Sequence, residues 1–149
     1  MGWSTPRGRH ARGEPAARRA VAICERVLGP EHPEVAADLA VLAGLLDGQG
    51  KYNEAEALYR LALAIFECAL GPEHYEVAIT CNNLAALCHA RGDHVVAEPL
   101  YYRALTIKEN ILGPEHPDVA MTLEARAKQV RPRRTRRAGA RATSRKRGE

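Results

Sequence analysis

The chain has 149 residues, 46% of them apolar, which suits one modest globular or solenoid domain and argues against a wholly disordered protein. Its net charge of +4 hides an asymmetry: residues 20–130 hold eight basic and sixteen acidic side chains, residues 131–149 nine basic and one acidic. Four cysteines without a CxxC pair or framework spacing argue against a disulfide scaffold or zinc site, and the absence of a signal-like start or an apolar run of about 18 residues leads us to expect a cytoplasmic protein without a membrane span.

Residues 1–13 read as a disordered basic arm. Glu14 to Leu28 has a helical apolar rhythm. Leu28-Gly-Pro-Glu-His-Pro-Glu-Val-Ala36 then leads into a helix on which Val35, Leu39, Leu42, Ala43 and Leu46 share one face. Pro33 stands where a first helical position tolerates a missing N–H, and Glu34 lies near the positive end of the helix dipole. Gly48-Gln-Gly50 closes this helix. The next is expected to open at Asn53, whose spacing to Glu56 is that of a capping box, and to run to about Leu70 on the stripe Ala55, Leu58, Tyr59, Ala62, Leu63 and Phe66.

The same design then recurs. Leu70-Gly-Pro-Glu-His-Tyr-Glu-Val-Ala78 and Leu112-Gly-Pro-Glu-His-Pro-Asp-Val-Ala120 follow the first copy at steps of 42 residues. Val77, Cys81, Leu84, Ala85 and Cys88 form the apolar face of the next first helix, Arg91-Gly92-Asp93 the turn, and Ala97, Leu100, Tyr101, Ala104 and Leu105 the following second helix. Glu14 to Leu28 matches a second helix, with Ala20 and Ile23 in register with Ala62 and Ile65, and Pro117 to Val130 matches a first helix. A chain that repeats at this period buries its apolar faces by stacking supersecondary units, so an array of about six helices spanning residues 14–130 is expected, with linkers at 28–33, 70–75 and 112–117. Arg126 stands in the register of Leu84 and Arg134 in that of Gly92, and from residue 131 the Arg-rich sequence has too little apolar content to order itself.

The small residues at the packing points, Leu42-Ala43, Ala55, Tyr59 and Ala62 in one unit and Leu84-Ala85, Ala97, Tyr101 and Ala104 in the next, resemble the tetratricopeptide repeat. With the Leu-Gly-Pro-Glu-His linker, Asn82-Asn83-Leu84-Ala85 and Ala97-Glu98-Pro99-Leu100-Tyr101, the 42-residue form is similar to the repeats of kinesin light chains and nephrocystin-3-like proteins. That resemblance implies an all-α right-handed solenoid whose concave side, lined by the first helix of each pair, receives a partner's segment. It also marks departures: Ala40-Val41 replaces the Asn-Asn pair, and Cys81 and Cys88 stand where larger residues are common.

Several residues invite a chemical reading. His32, His74 and His116 recur, but stacked pairs set equivalents about 10 Å apart, whereas zinc gathers donors at about 2 Å, so helix entry is the expected role. Cys81 and Cys88 lie two turns apart, about 10 Å along a helix, too far for a disulfide; they read as small core residues, as do Cys24 and Cys68. Arg91-Gly92-Asp93 spells an adhesion tripeptide, yet Gly92 aligns with the turn residue Gly50. No nucleophilic triad, phosphate loop or distinctive carboxylate pair stands out, so neither catalysis nor a cofactor is expected.

The expected function is that of a protein-interaction scaffold. On the middle unit Asn82, Asn83, Ala86 and His89 would face the groove, with Ala40, Gly44 and Asp47 before them and Glu124, Lys128 and Arg131 after. An asparagine offers donor and acceptor together and so suits a peptide backbone. Two other readings stand beside this one. The tail, through Arg133, Arg134, Arg136 and Arg137, carries charge that could neutralise phosphates of a nucleic acid, although an Arg-rich coding bias is the favoured account, since a charge run is more often solvated than functional. The exposed terminal helices could also self-associate, since about three helical pairs is near the minimum such an array needs.

Overall fold

In the computed structural model the backbone is described for residues 6–128 and the side chains for residues 12–128. Five helices follow one another, α1 (Pro6–Leu28), α2 (Pro33–Gly48), α3 (Tyr52–Leu70), α4 (Tyr75–Ala90) and α5 (His94–Leu112). Residues 117–128 are helical up to the last described position and are termed α6. No strand occurs among the described residues.

Within each unit the two helices form an antiparallel pair, α2 on α3 and α4 on α5, while α1 packs on α2 and α3 on α4. Close approach is set by alanines. Ala36, Ala43, Ala55 and Ala62, and their equivalents Ala78, Ala85, Ala97 and Ala104, are all shut from solvent. Around them Leu42, Leu46, Phe66, Leu84, Leu87 and Tyr101 fill one continuous core. Only residues without bulk fit where two helix axes cross, which is why the small positions repeat at the same period as the linkers.

The linkers owe their sequence to the backbone. Gly71 and Gly113 adopt φ 100°, ψ 154° and φ 91°, ψ 156°, a region essentially restricted to glycine. A few residues on, the histidine caps the next helix: the Nδ1 atoms of His32, His74 and His116 accept from the backbone N–H of Glu34, Glu76 and Asp118, each at 3.1 Å. The recurrent histidines therefore serve helix entry.

Three local expectations are corrected. Residues 6–13 belong to α1 rather than to an arm. At Gly13 an added Cβ would lie 3.3 Å from Leu45, so the start of the helix rests closely on α2. Second, α3 opens at Tyr52 with Lys51 as its cap residue and no side-chain capping bond. Asn53 and Glu56 instead accept from Arg91, Nη2 to Asn53 Oδ1 at 2.7 Å and Nη1 to Glu56 Oε1 at 2.6 Å. A charged guanidinium reaching across from the following unit outweighs a neutral cap on the helix's own backbone. Third, Cys68 is exposed and Cys24 half-buried, whereas Cys81 and Cys88 are buried as expected. Cys68 shares its register with Arg26 and Asn110, on the outer side of the second helices.

Candidate partner-binding face

The first helices α2, α4 and α6 carry the sequence-derived positions at one register. Ala40, Gly44 and Asp47 on α2 are half-buried, as are Asn82, Asn83 and His89 on α4, while Ala86, Glu124 and Lys128 are exposed. Register and helical spacing bring Ala40, Gly44 and Asp47, then Asn82, Ala86 and His89, then Glu124 and Lys128 into one series along the array. Arg131 and the tail residues Arg133, Arg134, Arg136 and Arg137 lie outside the described residues.

Asn82 differs from its neighbours in chemistry. Its Oδ1 is sealed from solvent and accepts no hydrogen bond, whereas Thr80, two residues before it on the same helix, donates back to the Glu76 carbonyl at 2.8 Å. An acceptor buried in this way destabilises a fold by about 1–3 kcal/mol relative to a satisfied one. Rotating the amide by half a turn would exchange acceptor and donors at the helix surface, so the group can pair with either sense of a backbone amide.

Two further features border this face and were not legible in the sequence. The Tyr59 hydroxyl lies beside Gly44, at 3.5 Å from where a Cβ would stand. Burial, helped by the Asp47 charge, pushes its pKa up to about 12. In the next unit, at the registers of Asp47 and Tyr52, the Nδ1 atoms of His89 and His94 approach to 3.0 Å, with ring centroids 4.8 Å apart. The glycine at position 44 and the histidines at the end of α4 and the start of α5 are the signals for these contacts, visible only once the helices are paired.

Elsewhere, the unit-to-unit joints hold the array in shape. Glu14 accepts from Gln49, Arg18 and Lys51, and Arg18 also reaches Glu54 at 2.7 Å. These bonds, Gln49 and Arg18 foremost, hold the Glu14 carboxyl at about 2. Arg103 grips Glu67 at 2.7 Å and the Pro72 carbonyl at 3.3 Å. It borders a cleft of about 750 Å³ lined by the linker Leu70–Tyr75 with Ile107 and Ile111, which includes none of the face residues. Among the described residues no group of three or more His, Cys, Asp or Glu side chains is arranged to hold a metal, and no helix is long and apolar enough to cross a membrane.

Comparison with known proteins agrees with this architecture. The tetratricopeptide repeat family model matches residues 5–68, 48–110 and 75–128. No curated protein matches the sequence. Among solved structures, BtubC (BKLC) from P. vanneervenii is similar at 24% identity and a TM-score of 0.77, over 85% of this chain and 50% of that one. A putative kinesin light chain with nearly identical TPR-like repeats from Podosopora anserina is similar at 26% identity and a TM-score of 0.76, over 83% and 58%. A variant of it gives 26% and 0.75, with the same coverage. The chain thus spans about half the length of the structures it matches. With the family model covering most of the chain and kinesin-light-chain-like repeats as structural neighbours, the chain belongs to the tetratricopeptide repeat family, in its kinesin-light-chain-like form.

Proposed function

We propose that this protein binds an extended segment of a partner protein along the face that runs from Ala40, Gly44 and Asp47 through Asn82, Asn83, Ala86 and His89 to Glu124 and Lys128. Tetratricopeptide repeats are generally protein-interaction modules and typically non-enzymatic, and the family membership carries that coarser statement. The observation that supports the finer one is the unpartnered Oδ1 of Asn82. The sealed Oδ1 weakens the free protein, and turning the side chain outward to meet a backbone amide of a bound segment would relieve that cost. Small residues at Ala40, Gly44 and Ala86 leave a backbone room to approach, and the mixed charges of Asp47, Glu124 and Lys128 would set which side chains the segment carries.

The double variant Asn82→Ala, His89→Ala tests this. Partners captured by the wild-type chain and identified by mass spectrometry are titrated against both proteins. The reading expects binding to weaken at least tenfold, while thermal stability is unchanged or raised because an unsatisfied acceptor has been removed. Equal affinity of the two proteins would sink the assignment of this face.

A further inference from the structure

Among the described residues the outermost helices, α1 and α6, are each half of a pair. α1 is a second helix whose described neighbours include no first helix of its own unit, and α6 is a first helix with no second helix among the described residues. Their apolar faces record this. Ile65 and Ile107 are 6% and 4% exposed, whereas Ile23, at the same register on α1, is 42% exposed. Leu39 and Cys81 are 3% and 0% exposed, whereas Leu123, at the same register on α6, is 45% exposed. Beside Ile23, Ala20 is only half-buried where its equivalents Ala62 and Ala104 are sealed. Around Leu123 the stripe continues through Ala120 and Ala127, both exposed where Ala36, Ala78, Ala43 and Ala85 are sealed.

We propose that copies of this chain join head to tail, with α6 of one copy seated on α1 of the next as α2 seats on α3 and α4 on α5. Ile23 and Leu123 stand at registers that the interior helices keep buried, and α2 on α3 and α4 on α5 pack as first helix on second, so the joint would continue a pairing the fold has built twice. The sequence of residues 129–149 does not offer a substitute. Gly139, Thr143, Lys146 and Arg147 stand in the registers of Ala97, Tyr101, Ala104 and Leu105, so that stretch lacks the apolar pattern of a second helix. Charge supports the same register. Within the chain Arg103 on α5 grips Glu67 on α3. One joint further along, the residue equivalent to Arg103 is Arg19 of the following copy and the residue equivalent to Glu67 is Glu109 of the preceding one, and both are exposed. A joint between two different surfaces uses one end of each copy and leaves the other open, so it produces chains of copies or a closed ring.

Sedimentation velocity on the full chain between about 1 and 100 µM reads the outcome. The average mass is expected to rise with concentration past that of a dimer. Ile23→Glu and Leu123→Glu, both at surface positions and checked for unchanged helicity, should each run as monomers. Mixed in equal amounts they should form a dimer and nothing larger, since one intact end remains on each. Arg19→Glu or Glu109→Arg alone should raise the midpoint concentration roughly threefold, as expected for an exposed ion pair, and the two together should restore it. A wild-type monomer throughout would overturn the proposal. So would loss of association in Ile23→Glu with none in Leu123→Glu, which would mean that two α1 helices meet instead.

Discussion

α4 and α6 occupy the same place in consecutive units, yet they are held differently. On α4 the residues Val77, Ala78, Cys81, Leu84, Ala85 and Cys88 are all buried, enclosed by α3 on one side and α5 on the other. On α6 only Val119 and Thr122 are, and polar contacts do much of the holding. Lys108 Nζ donates to Thr122 Oγ1 at 3.2 Å, Thr122 Oγ1 to the Asp118 carbonyl at 3.1 Å, and the Tyr75 hydroxyl to the Asp118 carboxylate. Arg126, at the register of Leu84, pairs with Glu98 at 3.6 Å and lies over the Tyr102 ring. Burial in a repeat array is thus supplied by the following helix: on α6, which lacks one among the described residues, Ala120, Leu123 and Ala127 stay exposed and Arg126 replaces Leu84.

The widest separation of the two helices is expected from truncating them at their respective leucines. Leu84→Ala should destabilise the protein by about 2–5 kcal/mol in denaturant unfolding, because it opens a cavity in a sealed core. Leu123→Ala, at concentrations where the protein is dispersed, should change stability by less than about 0.5 kcal/mol. Equal effects would remove the distinction drawn here. Next comes the linker that delivers α4: Gly71→Ala forces a side chain into backbone geometry that glycine alone favours and should destabilise by about 1–3 kcal/mol. No other atom lies within 4 Å of the added Cβ, so a loss of that size reports the backbone itself.

A smaller, opposite effect is expected where α5 meets α6. Lys108 is 7% exposed and stands in the register of Phe66; burial pushes its pKa down, against the pull of Asp118. Lys108→Met should stabilise the protein by about 1 kcal/mol by removing an ammonium from an apolar site. A destabilisation instead would mean that the bond to Thr122 outweighs that burial.

The smallest effect lies at the other end, where α1 is tied down by Glu14. Its pKa is about 2 against an ordinary 4.5, so the stabilisation it contributes is complete above 4.5 and is lost as pH falls towards 2. Wild type and Glu14→Gln should therefore differ most at neutral pH and converge across that interval, as read by urea midpoints. A constant difference would assign the tie to hydrogen bonding independent of charge.

Much of the architecture was legible because it is written in repetition. The 42-residue step, the glycine of each linker and the alanine pairs each answer to local geometry: a φ near +100° or a helix crossing too close for a larger side chain. The histidine caps were legible for the same reason. The opening of α3 was not, since a capping-box spacing says nothing of a guanidinium arriving from another unit, and Arg91 was visible only as part of a turn. The candidate face was legible as a register, but the state of its central residue was not. Asn82 could be named from the Asn-Asn pair, whereas the absence of any partner for its Oδ1 depends on which neighbours surround it.

The sequence by itself determined the period, the helix pairs and their apolar stripes, because these follow from spacing along one chain. Only the tertiary structure decided which stripes close. Ile23 and Ile65, or Leu123 and Cys81, read alike in sequence. They differ in exposure because burial requires a facing helix, and among the described residues the outermost helices have one neighbour where the interior ones have two.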